Sequence, residues 1–468
     1  MGLARTTVAI GLLSATAFTL TGGKIMPPNV LDCCLRLDRG HPGQLVWPSS
    51  SSYAGLGQRW SEAAQLGPSC IFQPISVDDV STALRTFMIG DCAFAVKSGG
   101  GAPNAGDNDI DNGITVDLGA LNDVTVASNG QVVQTGSATI YYQILKALDH
   151  TDIKIPGACC NWVATSGLAL TGGISMFSSR AGFVADSMVN FEVVLGTGEI
   201  INANGTHNSD LFVALKGGGS NFGLVTRFDF AALPKSPIWG GQIVYPFEAT
   251  NAVLEALSGF VEANAKDPAS GMRLEISMNS TTRDAKITSY VWNTMGLQAP
   301  LALLPFTRIQ PQLASNLYRS SLLDWISHSS PEQSAHPVRR SMFATVTVIK
   351  SRRVVKAIHD WTKSLFDRYS HLSDVKWLWS FDPLPRFYLQ NHGQNAMGLN
   401  NTRDDLIVIL LSPTWLSAAY DELIHTALES WVSGINRIAQ STDLSHPFLH
   451  MGYAAPFQDP LLAMGRVV

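Results

Sequence analysis

Three glycine clusters recur in the first half of the chain, "SGGGAPNAG" at 98–106, "SGLALTGGIS" at 166–175 and "KGGGSNFG" at 216–223. Glycine tolerates positive φ and lets a ligand lie against backbone N–H groups, so bare main chain can neutralise a pyrophosphate without charged side chains. The common nucleotide motifs do not match, because no G-x-x-x-x-G-K-[ST] occurs and the first cluster runs into the strand-like "GITVDL". One cluster alone is more typical of a tight turn, so the three are interpreted together.

The composition predicts a globular protein with a small or neutral ligand. The chain has 468 residues, of which 46% are hydrophobic and 15% are charged, with a formal net charge of -5. This length is enough to bury a large core and to form two or more domains. Nucleic acids and anionic membranes bind clustered positive charge, and the sequence has no long run of Lys and Arg. We therefore expect no nucleic-acid partner.

The N-terminus predicts a secretory signal peptide over residues 1–22. "MGLARTTVAIGLLSATAFTLTGG" has one arginine, an apolar stretch over 8–20, and Ala15 and Ala17 in an A-x-A arrangement. The stretch is shorter than the roughly 20 residues that span a bilayer, and a buried N-terminal helix is the alternative. We expect a secreted or endomembrane-lumen protein with no membrane span after signal removal. Sequons compatible with export occur at Asn204, Asn279 and Asn400.

Six cysteines, at positions 33, 34, 70, 92, 159 and 160, allow several disulfide pairings in an oxidising compartment. We predict that Cys92 pairs with Cys33 or Cys34, because the "CAFAV" run and the N-terminal "CCLRL" segment would both need anchoring in a secreted protein. No C-x-x-C or spaced histidine set indicates a metal site, so none is expected.

The pattern of apolar residues predicts an α+β fold in two parts. From about Cys70 to Phe230 short β-branched runs alternate with glycine clusters, and "ISVDDVSTALRTFM" has a helical period after Asp78. Beyond "RFDFAALPKSPIWGG" the glycine density falls and aromatic residues increase, which places a boundary near 234–237. The second half mixes strands such as "MFATVTVIK" with amphipathic segments such as "WLSAAYDELIHTALESWVSGI". It is typical of a domain that covers a substrate.

Taken in order, the segments resemble the FAD-linked oxidoreductases with a PCMH-type (vanillyl-alcohol-oxidase-like) FAD-binding domain, in the berberine-bridge-enzyme-like branch common in fungi. The matching stretches include "PSCIFQPISVDDVSTALR", "FAVKSGGGAPNAG", "GITVDLGALN", "DLFVALKGGGSNFGLVTRFDF" and "PLPRFYLQNHGQNAMGLN". The resemblance implies a two-subdomain PCMH-type FAD-binding domain over 23–235, with its core at 66–235. It further implies an α/β substrate-binding domain with an antiparallel sheet over 236–445 and a shortened C-terminal return segment over 446–468.

The same resemblance implies FAD as the cofactor. The first glycine loop would cradle its pyrophosphate, the segment 163–175 would line the flavin's other side, and Ile201 would cover the adenine end. Pre-oriented N–H dipoles and small side chains suit a doubly charged pyrophosphate. The residues so implied are Ser98, Gly99, Gly100, Gly101, Ala102, Asn104, Ala105, Gly106, Cys160, Val163, Ala164, Ser166, Gly167, Leu168, Gly172, Gly173, Ser175 and Ile201.

The chain departs from the family at the points where FAD is covalently attached. Most relatives have G-G-H, with the histidine bonded to the isoalloxazine methyl, whereas this chain has Gly99-Gly100-Gly101 and none of its 11 histidines in the loop. We therefore expect no histidyl tether. Cys160 matches the second tether of bicovalent relatives, which implies a cysteinyl bond to flavin C6. The alternatives are a structural cysteine or a vicinal disulfide with Cys159.

The catalytic residue implied by the resemblance is Tyr453. The family's N-Y pair matches Gly452-Tyr453, so the tyrosine is retained and the asparagine is lost. A phenol acts as general base only when positive charge or hydrogen bonds lower its pKa, and Tyr453 could equally be a packing aromatic.

The resemblance implies an FAD-linked oxidoreductase. It would oxidise a small, mostly apolar secondary metabolite, polyketide-like or alkaloid-like, by hydride transfer to flavin, with O2 as the acceptor. A non-redox isomerase or cyclase of the Diels-Alderase kind, with FAD structural or absent, is the alternative. An inactive binding protein is a third reading, because the histidine is lost and the C-terminus is short.

Overall fold

The computed structural model describes residues 26–329, 339–390 and 392–465. The predicted signal peptide over 1–22 lies outside the described residues. The α+β fold predicted from the sequence is confirmed, with a four-stranded sheet, a five-stranded sheet and a two-stranded ladder in the first half of the chain and one large antiparallel sheet in the second. None of the helices in the described part of the chain is long and apolar enough to cross a membrane.

The first sheet has four short strands and is covered by two helices. Its strands lie in the order Leu45–Val46, Cys70–Phe72, Ile114–Asp117 and Phe94–Lys97. The last three are parallel to one another. The helices are Pro28–Gly40 and Val77–Gly90.

The helix Val77–Gly90 begins where the sequence predicted a helical period. Ser76 Oγ accepts a hydrogen bond from the N–H of Asp79 at 3.2 Å, and the Asp79 carboxylate accepts one from the N–H of Ser76 at 3.1 Å. This capping box satisfies N–H groups that have no partner within the helix. The helix ends at Gly90, and the residue that follows it, Asp91, has the left-handed φ of 48°.

Two disulfides fasten the helix Pro28–Gly40 to this subdomain. Cys33 is bonded to Cys92, and its neighbour Cys34 is bonded to Cys70. The prediction that Cys92 pairs with Cys33 or Cys34 is therefore confirmed, with Cys33 as the partner. Adjacent cysteines reach different targets because successive helix positions point about 100° apart, one toward the end of the second helix and one toward the sheet.

The second sheet has five antiparallel strands. Their order is Val124–Val126, Val132–Gly136, Leu224–Ala231, Met188–Val194 and Ile200–Asn204. A separate two-stranded ladder pairs Ile153–Lys154 with Leu233–Pro234. The helices of this subdomain are Tyr141–Ala147, Thr165–Leu170, Ser178–Ala181 and Ser209–Leu215.

The third sheet occupies the second half of the chain and is antiparallel throughout. Along its main path the strands are Ala314–Ser315, Ile238–Pro246, Ala285–Asn293, Ser270–Asn279, Lys376–Leu384, Leu406–Leu411, Ala344–Ile349 and Ser445–His446. Tyr318–Ser320, Arg340–Ser341 and Thr414–Trp415 pair beside this path. The larger helices of this half are Thr250–Asn264, Arg352–Arg368 and Asp421–Gln440, and the shorter ones are Leu304–Arg308, Leu322–Ser329 and Pro460–Ala463.

Side-chain alternation gives this large sheet two different faces. In the strand Ser270–Asn279, Leu274 and Ile276 are fully buried in a core shared with the helices. Arg273 and Glu275 point to the opposite face, because successive strand residues alternate sides. The same alternation places Asp382 on that face. The sheet therefore offers one apolar face to its helices and one partly charged face to the first half of the chain.

Candidate functional site

One cavity of about 1440 Å³ lies between the two halves of the chain. Single small-molecule sites are typically about 300–1,000 Å³, so this volume can hold a dinucleotide and a substrate together. Most of the site residues predicted from the sequence line it, namely Ser98, Gly99, Gly100, Gly101, Ala102, Gly106, Cys160, Val163, Ala164, Ser166, Gly167, Leu168, Ser175 and Tyr453. Segments far apart in sequence therefore meet at one site.

Five predicted residues do not line this cavity, and their roles toward FAD stay predictions. Ala105 is exposed on the loop surface. Gly172 and Gly173 have φ of 95° and 75°, and a Cβ at Gly172 would collide with the sulfur of Met397. These two glycines therefore allow a tight turn beneath the site. Ile201 lies in the strand Ile200–Asn204 and packs against the core of the five-stranded sheet.

Asn104, the fifth of these residues, connects the glycine loop to the second half of the chain. Its Nδ2 donates to the carbonyl of Ala454 at 2.8 Å, and its Oδ1 accepts from the N–H of Phe343 at 3.2 Å. The side chain is buried. Since both polar ends of the amide are used within the protein, Asn104 fixes the loop against the segment that carries Tyr453.

The glycine loop packs closely on the segment that follows Cys160. Gly100 and Gly106 have left-handed φ of 66° and 91°. A Cβ at Gly99 would lie 2.8 Å from the Cβ of Ala164, and one at Gly101 would lie 3.0 Å from Cζ3 of Trp162. Both distances are shorter than ordinary van der Waals contact, so the loop needs bare backbone here.

Two tryptophans line the cavity beside this loop, and the sequence analysis missed both. The rings of Trp60 and Trp162 are stacked, with centroids 5.7 Å apart and an interplanar angle of 9°. Trp60 also meets Phe343 edge-on at 5.8 Å. Trp162 lies two residues after Cys160, which matches the family's second tether, and this proximity was the available signal. The pair gives this side of the cavity an aromatic wall.

A cluster of charged side chains lies on the opposite side, where the large sheet faces the cavity. Arg273 Nε is 3.2 Å from Glu275 Oε1 and 3.7 Å from Asp382 Oδ1. The guanidinium also donates to Ser380 Oγ at 3.0 Å. Burial lowers the pKa of Arg273, but the carboxylates of Asp382 and Glu275 and the other groups around it outweigh this effect and leave the pKa well above its usual value. Arg273 is therefore a fixed cation.

The environment of Asp382 disfavours its negative charge, whereas that of Arg273 favours its positive charge. Burial raises the pKa of this carboxyl, and Arg273 offsets only part of that effect. Its Oδ2 is buried and has no hydrogen-bond partner within the described ranges. Asp382 can therefore take up a proton at a pH where an exposed aspartate would not.

Tyr453 lies beside this cluster on the C-terminal segment. Arg273 Nη1 donates to its hydroxyl at 3.5 Å. Burial raises the pKa of the phenol, Asp382 raises it further, and Arg273 acts in the opposite direction without reversing the shift. In the protein alone, Tyr453 is thus a protonated phenol rather than a prepared base. Its catalytic role stays a prediction.

His450 packs directly on Tyr453, with ring centroids 4.3 Å apart. The residue is 2% exposed, and neither ring nitrogen has a hydrogen-bond partner among residues 26–329, 339–390 and 392–465. Burial lowers the pKa of His450 to about 4, so the imidazole is neutral at ordinary pH. A Cβ at Gly452 would lie 3.3 Å from Cε1 of His450. The imidazole therefore occupies space next to position 452, where the family has an asparagine.

The sequence analysis missed His450 and the whole Arg273 cluster. The available signal for the cluster was the polar alternation in "MRLEIS" and "WSFDP", which places charges on the face of a strand opposite to the core.

Cys159 and Cys160 also line the cavity. Their sulfur atoms are 3.6 Å apart, well beyond the roughly 2.05 Å of a disulfide bond, so the vicinal disulfide is not formed in this structure. The hydrogen bond with Cys160 lowers the pKa of the Cys159 thiol. Desolvation by the surrounding protein opposes this shift, and the charge of Arg273 reinforces it.

Unsatisfied polar atoms in the lining test whether the cavity suits FAD. Buried atoms with no hydrogen-bond partner in the described part of the chain include Asn108 Oδ1, Ser166 Oγ and both His450 ring nitrogens. All three residues line the cavity. Buried polar groups normally have partners, so these atoms are suited to a polar ligand. Together with the three consecutive glycines at 99–101, these unsatisfied atoms fit a dinucleotide such as FAD.

Comparisons with known proteins agree with this geometry. Residues 68–204 match the family described as FAD binding domain. The chain is 29% identical over 441 residues to "FAD-dependent monooxygenase prx3" of Penicillium roqueforti, covering 91% of this chain and 86% of that protein. It is 28% identical to "FAD-dependent monooxygenase drtC" of Aspergillus calidoustus, covering 93% and 85% of the two chains.

Solved structures share the fold across almost the whole chain. The 6-hydroxy-D-nicotine oxidase of Arthrobacter nicotinovorans superposes with a TM-score of 0.75 at 18% identity, covering 90% of this chain and 91% of that one. A chitooligosaccharide oxidase gives 0.74 at 18% identity, covering 93% of each chain. The berberine-bridge-enzyme-like protein 1 of Physcomitrella patens gives 0.71 at 14% identity, covering 92% of each.

The FAD binding domain over residues 68–204 and the similarity to FAD-dependent monooxygenases over most of the chain identify an FAD-dependent oxidoreductase. The resemblance stated from the sequence is confirmed: the chain matches an FAD binding domain over residues 68–204, is similar to FAD-dependent monooxygenases of fungi, and shares its fold with berberine-bridge-enzyme-like and related oxidases.

Proposed function

We propose that this protein oxidises a small, largely apolar secondary metabolite by hydride transfer to FAD, with O2 reoxidising the flavin. The observation that carries the proposal is that one cavity combines the three consecutive glycines at 99–101 with the Arg273, Asp382 and Tyr453 cluster. The relatives named as FAD-dependent monooxygenases of fungi support a metabolite substrate.

The lining favours a substrate with an aromatic or alicyclic body and a hydroxyl group. Trp60, Trp162 and Phe343 offer broad apolar surfaces, which suit flat polyketide-like or alkaloid-like molecules. The charge of Arg273 is already matched by Glu275 and Asp382, so an acidic substrate gains little from it.

FAD supplies the acceptor for a hydride leaving a substrate C–H bond. The chain's own residues bind and orient the substrate and move its hydroxyl proton. Arg273, held by Ser380 and the two carboxylates, fixes the position of the Tyr453 hydroxyl. Tyr453 donates a hydrogen bond to the substrate oxygen, and Asp382 takes up the proton released as that oxygen becomes a carbonyl. His450 supports the phenol ring by packing on it.

The experiment is an absorbance spectrum of the purified protein, recorded without oxygen and with candidate metabolites. We expect a yellow protein whose flavin is bleached by its substrate, and whose colour returns with O2 and formation of H2O2. A yellow protein that converts substrate without bleaching supports the isomerase or cyclase alternative. Oxygen-18 from O2 appearing in the product would instead indicate a monooxygenase. A colourless protein contradicts FAD binding.

We also propose that the protein is secreted or resides in the endomembrane lumen. The disulfides Cys33–Cys92 and Cys34–Cys70 support this, because such bonds persist in oxidising compartments. N-terminal sequencing of protein from the native host tests the idea. A start between about residues 18 and 24 is expected, and an intact residue 1 or 2 contradicts signal removal.

A further inference from the structure

Two adjacent thiols are located inside the cavity rather than in the structural part of the protein. Cys159 and Cys160 precede the segment that packs on the glycine loop, and both line the cavity. The remaining cysteines form the two disulfides of the first subdomain, where all four are buried. The Cys159–Cys160 pair therefore differs from the two disulfides in its environment as well as in its oxidation state.

The neighbouring groups favour thiol chemistry at Cys159. Its sulfur is 3.6 Å from that of Cys160, so a small movement of the two side chains and of the peptide between them can bring the sulfur atoms together. The hydrogen bond with Cys160 and the charge of Arg273 lower the pKa of Cys159, although desolvation opposes them. The thiolate is the form that attacks and is oxidised.

A disulfide between these neighbours would be easy to reduce again. Consecutive Cα atoms are about 3.8 Å apart across a trans peptide, whereas disulfides usually join Cα atoms about 4.4–6.8 Å apart. The shorter separation strains the bond, and strained disulfides are the more oxidising ones. The pair therefore suits reversible electron transfer better than permanent cross-linking.

We propose that Cys159 and Cys160 form a second two-electron redox centre, which exchanges electrons with FAD inside the cavity. In one direction, reduced FAD gives two electrons and two protons to the Cys159–Cys160 disulfide. The S–S bond breaks, two thiols form, and FAD returns to its oxidised state. In the other direction, the two thiols lose two electrons and two protons to oxidised FAD, and the S–S bond forms. This inference rests on the proposed binding of FAD.

Such a centre excludes a cysteinyl tether, because a sulfur bonded to flavin C6 cannot also close a disulfide. The inference therefore decides among the roles left open for Cys160 in favour of the vicinal disulfide with Cys159. It also gives the protein a place to hold a second electron pair while O2 is scarce.

The test is an anaerobic titration of the air-oxidised holoprotein with dithionite. We expect four electrons per FAD in the parent and two in Cys159→Ser and in Cys160→Ser, because either substitution removes the disulfide. Two electrons in the parent, with all of its flavin bleached, would overturn the proposal. Flavin that stays on the Cys160 peptide after proteolysis would also overturn it.

Alkylation of the reduced protein, followed by peptide mapping, controls for the structural disulfides. We expect label on Cys159 and Cys160 and none on Cys33, Cys34, Cys70 or Cys92. Label on Cys33, Cys34, Cys70 or Cys92 would show that the structural disulfides took up the two additional electrons, and would contradict the proposed redox role of Cys159 and Cys160.

A second measurement needs no flavin. Phenylarsine oxide bridges two nearby thiols, so its mass should add once to the reduced parent and to neither serine variant. Failure to bind the parent contradicts a dithiol within bridging distance, whether or not FAD is present. Bleaching of the flavin by substrate is measured separately on the parent protein. This measurement tests the proposed oxidoreductase function independently of the dithiol proposal.

Discussion

The indole of Trp162 stands against Gly101, so that a Cβ at Gly101 would lie 3.0 Å from its Cζ3 atom. Gly101 does not have a left-handed φ, unlike its neighbour Gly100 at 66°. The backbone itself therefore accepts a side chain at position 101, and the obstacle is the tryptophan. The position matched to the family's tethering histidine is thus closed by a neighbouring ring, which Trp60 supports by stacking.

Gly101→His alone is expected not to create a histidyl flavin and to lower flavin retention, because the imidazole and Trp162 compete for one space. Gly101→His combined with Trp162→Ala should recover retention by removing the ring. The flavin-to-protein absorbance ratio of the purified variants measures this. Gly101→Ala is the matched control and should lose less flavin than the histidine variant. Full retention in Gly101→His would show that Trp162 moves freely.

Acid precipitation of the parent protein is expected to release its flavin into the supernatant. No histidine lies in the loop, and the further inference leaves both thiols of Cys159 and Cys160 unbonded to flavin. Cys160→Ser should behave in the same way. Yellow pellets from the parent but not from the serine variant would assign a covalent bond to the sulfur of Cys160.

Tyr453→Phe is expected to lower turnover by about 10²–10³-fold, the usual cost of removing one hydrogen-bond donor from an oxygen that develops negative charge in the transition state. Flavin content should stay near the parent value, because the ring still packs on His450. Stopped-flow bleaching by an identified substrate measures the reductive step. An unchanged bleaching rate would reduce Tyr453 to a packing role.

Asn104→Ala is expected to destabilise the protein by about 1–3 kcal/mol, because the backbone groups of Ala454 and Phe343 lose their partner. The loop would also lose its attachment to the segment that carries Tyr453. Denaturant unfolding followed by fluorescence measures the change. Ala105→Ser, on the exposed neighbour, is the control and should leave the unfolding midpoint unaltered. Equal midpoints for the two variants would argue against the bridge.

Replacing both members of the Cys34–Cys70 disulfide by serine is expected to lower stability by about 2–4 kcal/mol. The bond closes a loop with a sequence separation of 36 and so restricts the unfolded chain. The thermal midpoint should fall in the double variant and much less in Cys159→Ser, whose sulfur forms no cross-link in this structure. A larger loss in Cys159→Ser would indicate that the cavity thiols also support the fold.

The sequence by itself determined the class of fold and the positions of the glycines that line the cavity. Glycine clusters reflect the local backbone conformation, because only glycine accepts the φ of Gly100 and Gly106 without strain. The capping box at Ser76 and Asp79 is likewise local, and the helix after it was predicted correctly. The sequence limited the predicted partners of Cys92 to Cys33 and Cys34, but only the orientation of the helix Pro28–Gly40 decided that Cys33 is the partner.

Only the tertiary structure decided which distant side chains meet. Arg273 and Tyr453 are 180 residues apart, and Asn104 and Ala454 are 350 apart. No local pattern encodes such pairings, because they depend on how the large sheet is oriented against the FAD-binding half. The packing of Trp162 on Gly101 and the burial that shifts the pKa values of Asp382 and Tyr453 arise in the same way. They exist only once both halves enclose one cavity and exclude water from it.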